Sequence, residues 1–181
     1  MNAHHDAATR RRVQSERGST LIETVVATSV MLALMLGLLG LTSLATVITE
    51  NEGHLTARTT EYAQDKMEQL LALSFNDTTS DTRVFPATDT GGTGLTVGGS
   101  STPTSPVAKY VDYLDVNGAL LASSGTTAPA NWYYQRVWLV SNPLGNTTLK
   151  RITVTTTVNS AVGNTGRVPV VTLMSLKTYP F

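Results

Sequence analysis

Cysteine is absent from the 181 residues. That absence excludes disulfide scaffolds, cysteine-held zinc, iron–sulfur clusters and thiol catalysis. Charge is scarce too: Asp, Glu, Lys and Arg make up 14% of the chain, against roughly 25% in ordinary soluble domains. Thirteen basic residues balance thirteen acidic ones, so the basic footprint of a nucleic-acid binder is missing. His4 and His5 stand near the start and His54 stands alone, so no histidine cluster suggests a metal. No GxGxxG, P-loop, HExxH or GxSxG pattern occurs, so no enzyme, cofactor or metal site is expected. The length suits one domain with an appendage.

The neutral total hides an uneven distribution. Arg10, Arg11, Arg12 and Arg17 outweigh Asp6 and Glu16, so residues 1–18 carry +2 and the rest carries −2. After Ser19-Thr20-Leu21-Ile22-Glu23, no charge occurs from Thr24 to Thr49. As a helix, these residues span roughly 39 Å, more than the ~30 Å of a hydrocarbon core. Three readings compete. A cleavable signal would have a shorter apolar run, with Ser43-Leu44-Ala45 as its exit and no Glu23 at its start. A buried core helix does not account for the flanking arginines. A retained membrane helix with a cytoplasmic N-terminus fits the arginine bias directly, and it is the preferred reading, spanning about residues 24–49.

The stretch Arg17-Gly18-Ser19-Thr20-Leu21-Ile22-Glu23-Thr24-Val25-Val26-Ala27 resembles the class III signal of type IV pilins and pseudopilins. Leu36-Gly37-Leu38-Leu39-Gly40-Leu41, Ala63-Gln64-Asp65-Lys66-Met67-Glu68-Gln69-Leu70 and Leu149-Lys150-Arg151-Ile152-Thr153-Val154-Thr155 look most like PilV-type minor pilins. The resemblance implies cleavage by a prepilin peptidase after Gly18, with Ser19 as the new and N-methylated terminus. It makes Glu23 the family's glutamate at the fifth mature position, the residue of subunit assembly. Ser19 departs from the usual Phe or Met, and Gly40 stands where major pilins often carry a kinking proline. The missing proline favours a minor pilin or pseudopilin over the bulk subunit.

The role of Glu23 can be argued physically as well. A carboxylate in a bilayer costs about 3 kcal/mol by insertion scales and normally has a partner. A new amino terminus at Ser19 on a neighbouring subunit would supply one and would fix axial register. The alternative is an interfacial carboxylate favoured by the helix N-terminus. Ala33 and Gly37 form a small-xxx-small pair, more simply read as ordinary membrane-helix composition. Met31 and Met35 read as apolar filler.

Charge returns at Glu50 and Glu52 while helical patterning continues. Leu55, Tyr62, Ala63, Met67, Leu70 and Leu71 recur on one face, with Arg58, Glu61, Asp65 and Glu68 elsewhere. The spacing predicts one helix over 19–74, its second half amphipathic, with Arg58 and Glu61 as a possible pair. Gly53 is a candidate bend. From residue 75 the composition turns to Thr, Ser, Gly and Val. Residues 87–106 read as a flexible exposed loop. Residues 110–116 and 119–122 read as a hairpin about Asn117-Gly118, whose residues readily take positive φ. Residues 132–140, 149–158 and 168–176 are further strands. Asp115-Val116-Asn117-Gly118 matches a fragment of an EF-hand loop, but Tyr113 and Ser124 replace its end ligands. Asp112 and Asp115 do not stand out as an acid/base pair. Alternation places Trp132, Tyr134 and Trp138 on one face and Tyr133 on the other, for core packing rather than an adhesive surface. Lys150 and Arg151 are expected in solvent.

The expected fold is therefore α+β: a pilin-like long N-terminal helix, membrane-spanning in its first half, packed by its second half against a small antiparallel sheet. The parts are a leader over 1–18, the helix over 19–74 and an extracytoplasmic head over 75–181. The resemblance implies a minor pilin that primes or caps a type IV pilus from the bacterial inner membrane. Its partners would be prepilin peptidase, other minor and major pilins, the inner-membrane assembly platform and, before assembly, lipid. A type II secretion pseudopilin and a tip adhesin or DNA-uptake minor pilin are the alternatives, and nucleic acid is not expected as a partner.

Overall fold

The structure, a computed structural model, describes residues 3–122, 125–159 and 168–180; for 3–19 and 51 only the backbone is described. The leader and the cleavage site Gly18–Ser19 fall outside the residues whose side chains are described. The chain divides into two compact units, Met1–Thr49 and Glu50–Phe181.

The first unit is helical. The helix α1 is assigned over Ala3–Ala72, and Gly53 is helical within it. From Thr20 to Glu50 every residue is exposed.

The second unit is a helix on a sheet. Its α1 residues Thr59, Tyr62, Ala63, Lys66, Met67 and Leu70 are buried, at the three- and four-residue spacing that makes one helix face. Arg58, Glu61, Asp65 and Glu68 are exposed, as the pattern predicts, and Arg58 approaches Glu61 at 3.9 Å. The strands are β1 (Gly98–Gly99), β2 (Val111–Leu114), β3 (Leu120–Leu121), β4 (Tyr134–Ser141), β5 (Leu149–Val158) and β6 (Val170–Thr178). They form one sheet in the order β3-β2-β4-β5-β6, with β1 pairing β4, and every pairing is antiparallel. Within this unit, the α+β layout of the helix's second half packed on a small antiparallel sheet is as predicted.

The core lies between α1 and the sheet. Met67 and Leu70 meet Leu95, Tyr110, Trp138, Val140, Ile152 and Val154. Tyr62 packs with Leu114, Tyr134 and Val158, its ring edge-on to Tyr134 at 4.7 Å. Burying each of these large side chains is worth roughly 1.5–3 kcal/mol. Val111, Tyr113 and Val137 form a smaller cluster on the other face, joined by Trp132.

Several details differ from the sequence pattern. Trp132 packs edge-on to Tyr113 at 5.8 Å, away from Trp138, because β4 begins only at Tyr134 and a positive-φ Asn131 turns the chain before it. Tyr134 and Trp138 are buried, so these two serve the core. The β2–β3 turn is longer than an Asn-Gly two-residue turn. Asp115 Oδ1 accepts the Asn117 and Ala119 N–H groups at 2.8 Å, and positive φ falls on Gly118 alone (84°). A side chain at Gly118 would also collide with Tyr62. Residues 87–106 carry more structure than their composition suggests. Leu95 is fully buried, and Gly98–Gly99 pairs with Val140 and Leu139.

Candidate functional site

Two arrangements can carry function, one in each unit. Among the described residues one helix, Thr20–Ala72, is long and apolar enough to cross a membrane, and its apolar window is nowhere buried. Leu21, Ile22, Val25, Val30, Leu34, Leu38 and Leu41 are among its exposed side chains. Its polar side chains are largely turned inward. The hydroxyls of Thr24, Thr28, Ser29, Thr42, Thr46 and Thr49 donate to carbonyls three or four residues earlier at 2.7–3.0 Å. Such bonds satisfy hydroxyls without water, as a nonaqueous setting requires. Glu23 is exposed on this surface and is its only charge between Thr20 and Thr49. No ion pair among the described residues involves it.

In the second unit, the sheet and helix enclose a charge cluster. Asp112 on β2 is 1% exposed and sits between Lys66 and Arg136. The Arg136 fork donates from Nε to Asp112 Oδ1 at 2.7 Å and from Nη2 to Oδ2 at 2.9 Å. Its Nη1 donates to Asp65 Oδ2 at 2.7 Å. Lys66 Nζ lies 2.6 Å from Asp112 Oδ2 and donates to Thr82 O and Oγ1 at 2.9 and 3.2 Å. It also lies 4.6 Å from the centre of the Trp138 ring. One carboxylate thus ties together α1, β2, β4 and, through Lys66, the loop at Thr82. A bidentate arginine–carboxylate pair is among the strong forms of such a bond.

Burial pushes Lys66 down from 10.5 to about 8, against the pull of Asp112, and the Arg136 charge adds to the fall. Burial alone would raise Asp112, but the Arg136 and Lys66 charges and their hydrogen bonds hold it below the usual carboxylate range. The Lys66 shift has a signed consequence. Between about pH 8 and 10.5 the unfolded chain binds more protons than the folded one, so stability rises with pH across that window. Below it both states are protonated and the desolvation cost of Lys66 is carried in full. Relative to Lys66→Met, the native chain should therefore gain up to about 3 kcal/mol between pH 8 and 10.5. Denaturant titrations of both chains at the two pH values check this, and a parallel course for the two would refute it.

A cleft of about 600 Å³ opens beside the cluster, lined in part by Asp65, Gln69, Arg83, Phe85, Leu120 and Arg136. Its charged groups are already committed: Arg83 forks onto Asp81 at 2.8 and 2.7 Å, and Arg136 onto the two aspartates. The arrangement braces the fold.

Sequence reasoning gave Asp112 no role. It also placed Lys150 and Arg151 in solvent, and for Lys150 the structure differs. Lys150 Nζ donates to Phe75 O at 2.6 Å and Leu95 O at 2.9 Å, over the Phe75 ring at 4.6 Å. Lys177 Nζ donates to Leu71 O in the last turn of α1. Two sheet lysines thus satisfy carbonyls at and just beyond a helix C-terminus, where cations are favoured. Arg151 is half-buried, and its Nε donates to Ser141 Oγ at 3.3 Å.

No family model matches the chain, and neither does any curated protein or solved structure.

Proposed function

We propose that the chain is a minor pilin or pseudopilin: a structural and assembly subunit, cut after Gly18 by a prepilin peptidase and added through its helix to a type IV pilus. The observation that carries this reading is the surface of α1 from Thr20 to Thr49. It is apolar and exposed on all sides, its hydroxyls turn back onto the helix, and its one carboxylate stands four residues after Ser19. A surface of that kind suits lipid before assembly and a bundle of like helices after it. The new ammonium of Ser19 on one subunit would neutralise Glu23 on another. The antiparallel head on the second half of the helix supports the same reading, in the extracytoplasmic position that the arginines of the leader favour.

The processing step is tested by mass spectrometry of the mature chain from cells containing prepilin peptidase. A chain starting at methylated Ser19 is expected, and Gly18→Leu should abolish its formation. A chain starting after Ala45 would show a cleaved secretory signal instead and end the proposal.

A further inference from the structure

We propose that β6 is a docking edge for an extended segment of another protein, one that alternates apolar residues and brings a carboxylate to the end of the strand beside Arg151. The two edges of the sheet are unlike. The β3 edge is two residues long, too short to template much pairing. The β6 edge is nine residues long, paired to β5 from Val170↔Thr157 to Thr178↔Leu149 without a bulge. Among the described residues no strand covers its other side. Its backbone donors and acceptors along that side are therefore available to a further strand.

The usual protections of an open edge are missing. β6 contains no proline, and its one charge, Lys177, turns its amine back onto the Leu71 carbonyl. Its outward residues Val170, Met174 and Leu176 are 57%, 63% and 58% exposed. An apolar alternating surface with unpaired backbone groups selects an extended strand, whose main chain gives affinity and whose alternate side chains give specificity.

Charge defines the occupant further. From Val116 to Phe181 the sequence holds Arg136, Lys150, Arg151, Arg167 and Lys177 and no acidic residue. Arg151 lies directly across from Leu176, on the outward face, and among the described residues its terminal guanidinium nitrogens have no partner. A strand added to β6 would lie two strand spacings from β5, about 10 Å, a gap that an arginine and a glutamate can close over Leu176. A second copy of the chain fits less well. Its β6 brings no carboxylate to meet Arg151, since the one charge on that strand is Lys177.

The absence of native cysteine makes the test direct. Met174→Cys gives the full chain, in lipid nanodiscs, a single thiol at the middle of β6. The probe is a nine-residue peptide of alternating Thr and Val with Glu third and Cys fifth. In antiparallel register the Glu faces Leu176 and the peptide thiol faces the introduced one. Opposed Cβ atoms are about 5 Å apart there, wider than a relaxed disulfide accepts, so dibromobimane is used to bridge the two sulfurs, each thiolate displacing one bromide. Cross-linking by dibromobimane should be at least tenfold faster than at Val116→Cys, an exposed position in the β2–β3 turn. Placing Lys third should slow it, and adding Arg151→Glu should reverse that preference. Equal rates for the two cysteine variants, or a charge preference indifferent to Arg151→Glu, would overturn the proposal. Rapid dibromobimane cross-linking of the Met174→Cys chain to itself would assign the edge to a second copy. That would overturn the heterologous occupant while leaving processing at Gly18 untouched.

Discussion

Asp112→Ala is expected to destabilise the head by about 3–5 kcal/mol, the cost of leaving buried charges without their counterion. Lys66 and Arg136 are 0% and 1% exposed, and both aim at this one carboxylate. Removing it leaves two desolvated cations within one hydrogen-bonded site. Asp65 cannot replace it, because its own side chain is 53% exposed and it pairs with Arg136 Nη1 but not with Lys66. The measurement is a urea titration followed by Trp132 and Trp138 fluorescence, since Trp138 lies under the Lys66 amine. A loss below about 1 kcal/mol would mean that the cluster relaxes to water and does not brace the core. Replacing the three partners together, as Lys66→Met, Asp112→Leu and Arg136→Met, should recover most of the loss, because an apolar substitute avoids the desolvation penalty altogether. The single and triple variants thus separate the cost of breaking the cluster from the smaller worth of having it.

The same residues show where the sequence is readable and where it is not. The buried face of α1 follows from spacing, and Tyr62, Ala63, Met67 and Leu70 lie where the apolar periodicity predicts. Lys66 and Thr59 share that face at compatible positions, but a lysine at a buried position signals a partner without naming it. Its partner is 46 residues away in sequence, on a strand whose neighbours were visible only as β-branched patterning. Arg136 illustrates the same limit: alternation in β4 places it on the core side with Tyr134 and Trp138, yet only the β2–β4 register, Asp112↔Arg136, supplies its acid. Strand β5 was legible from end to end, Leu149–Val158, because its run of Lys, Arg, Ile, Thr and Val is uninterrupted. Strand β6 lies two residues later than its pattern, since Val168 and Pro169 precede the ladder and proline cannot donate to it. Trp132 was placed on the wrong face because alternation holds only while the chain is extended. The lysines that cap α1 could not be foreseen, since their acceptors are backbone carbonyls, which every residue carries.

Glu23→Ala carries the largest expected effect on the proposed function. The chain should still be cut after Gly18 and should still sit in the membrane, since the substitution makes the helix more apolar. It should fail at assembly. In a bundle of helices surfaced by Leu, Val, Met and Ala, the Ser19 ammonium of a neighbouring subunit would find no counterion. An uncompensated charge in such surroundings costs roughly 3–5 kcal/mol, and each 1.4 kcal/mol is a tenfold change in an equilibrium. Incorporation should accordingly fall by about a hundredfold or more. Glu23→Asp, shorter by one methylene, should keep part of it, and Glu23→Gln, which retains shape and hydrogen bonding without charge, should behave nearly as the alanine variant does. The comparison of those two separates charge neutralisation from simple packing of the side chain. Immunoblots of sheared filaments against membrane fractions give the readout, with the mass of the mature chain confirming that cleavage is unchanged. Normal incorporation of Glu23→Ala would sink the pairing and, with it, the argument that one carboxylate sets the axial register of the helix.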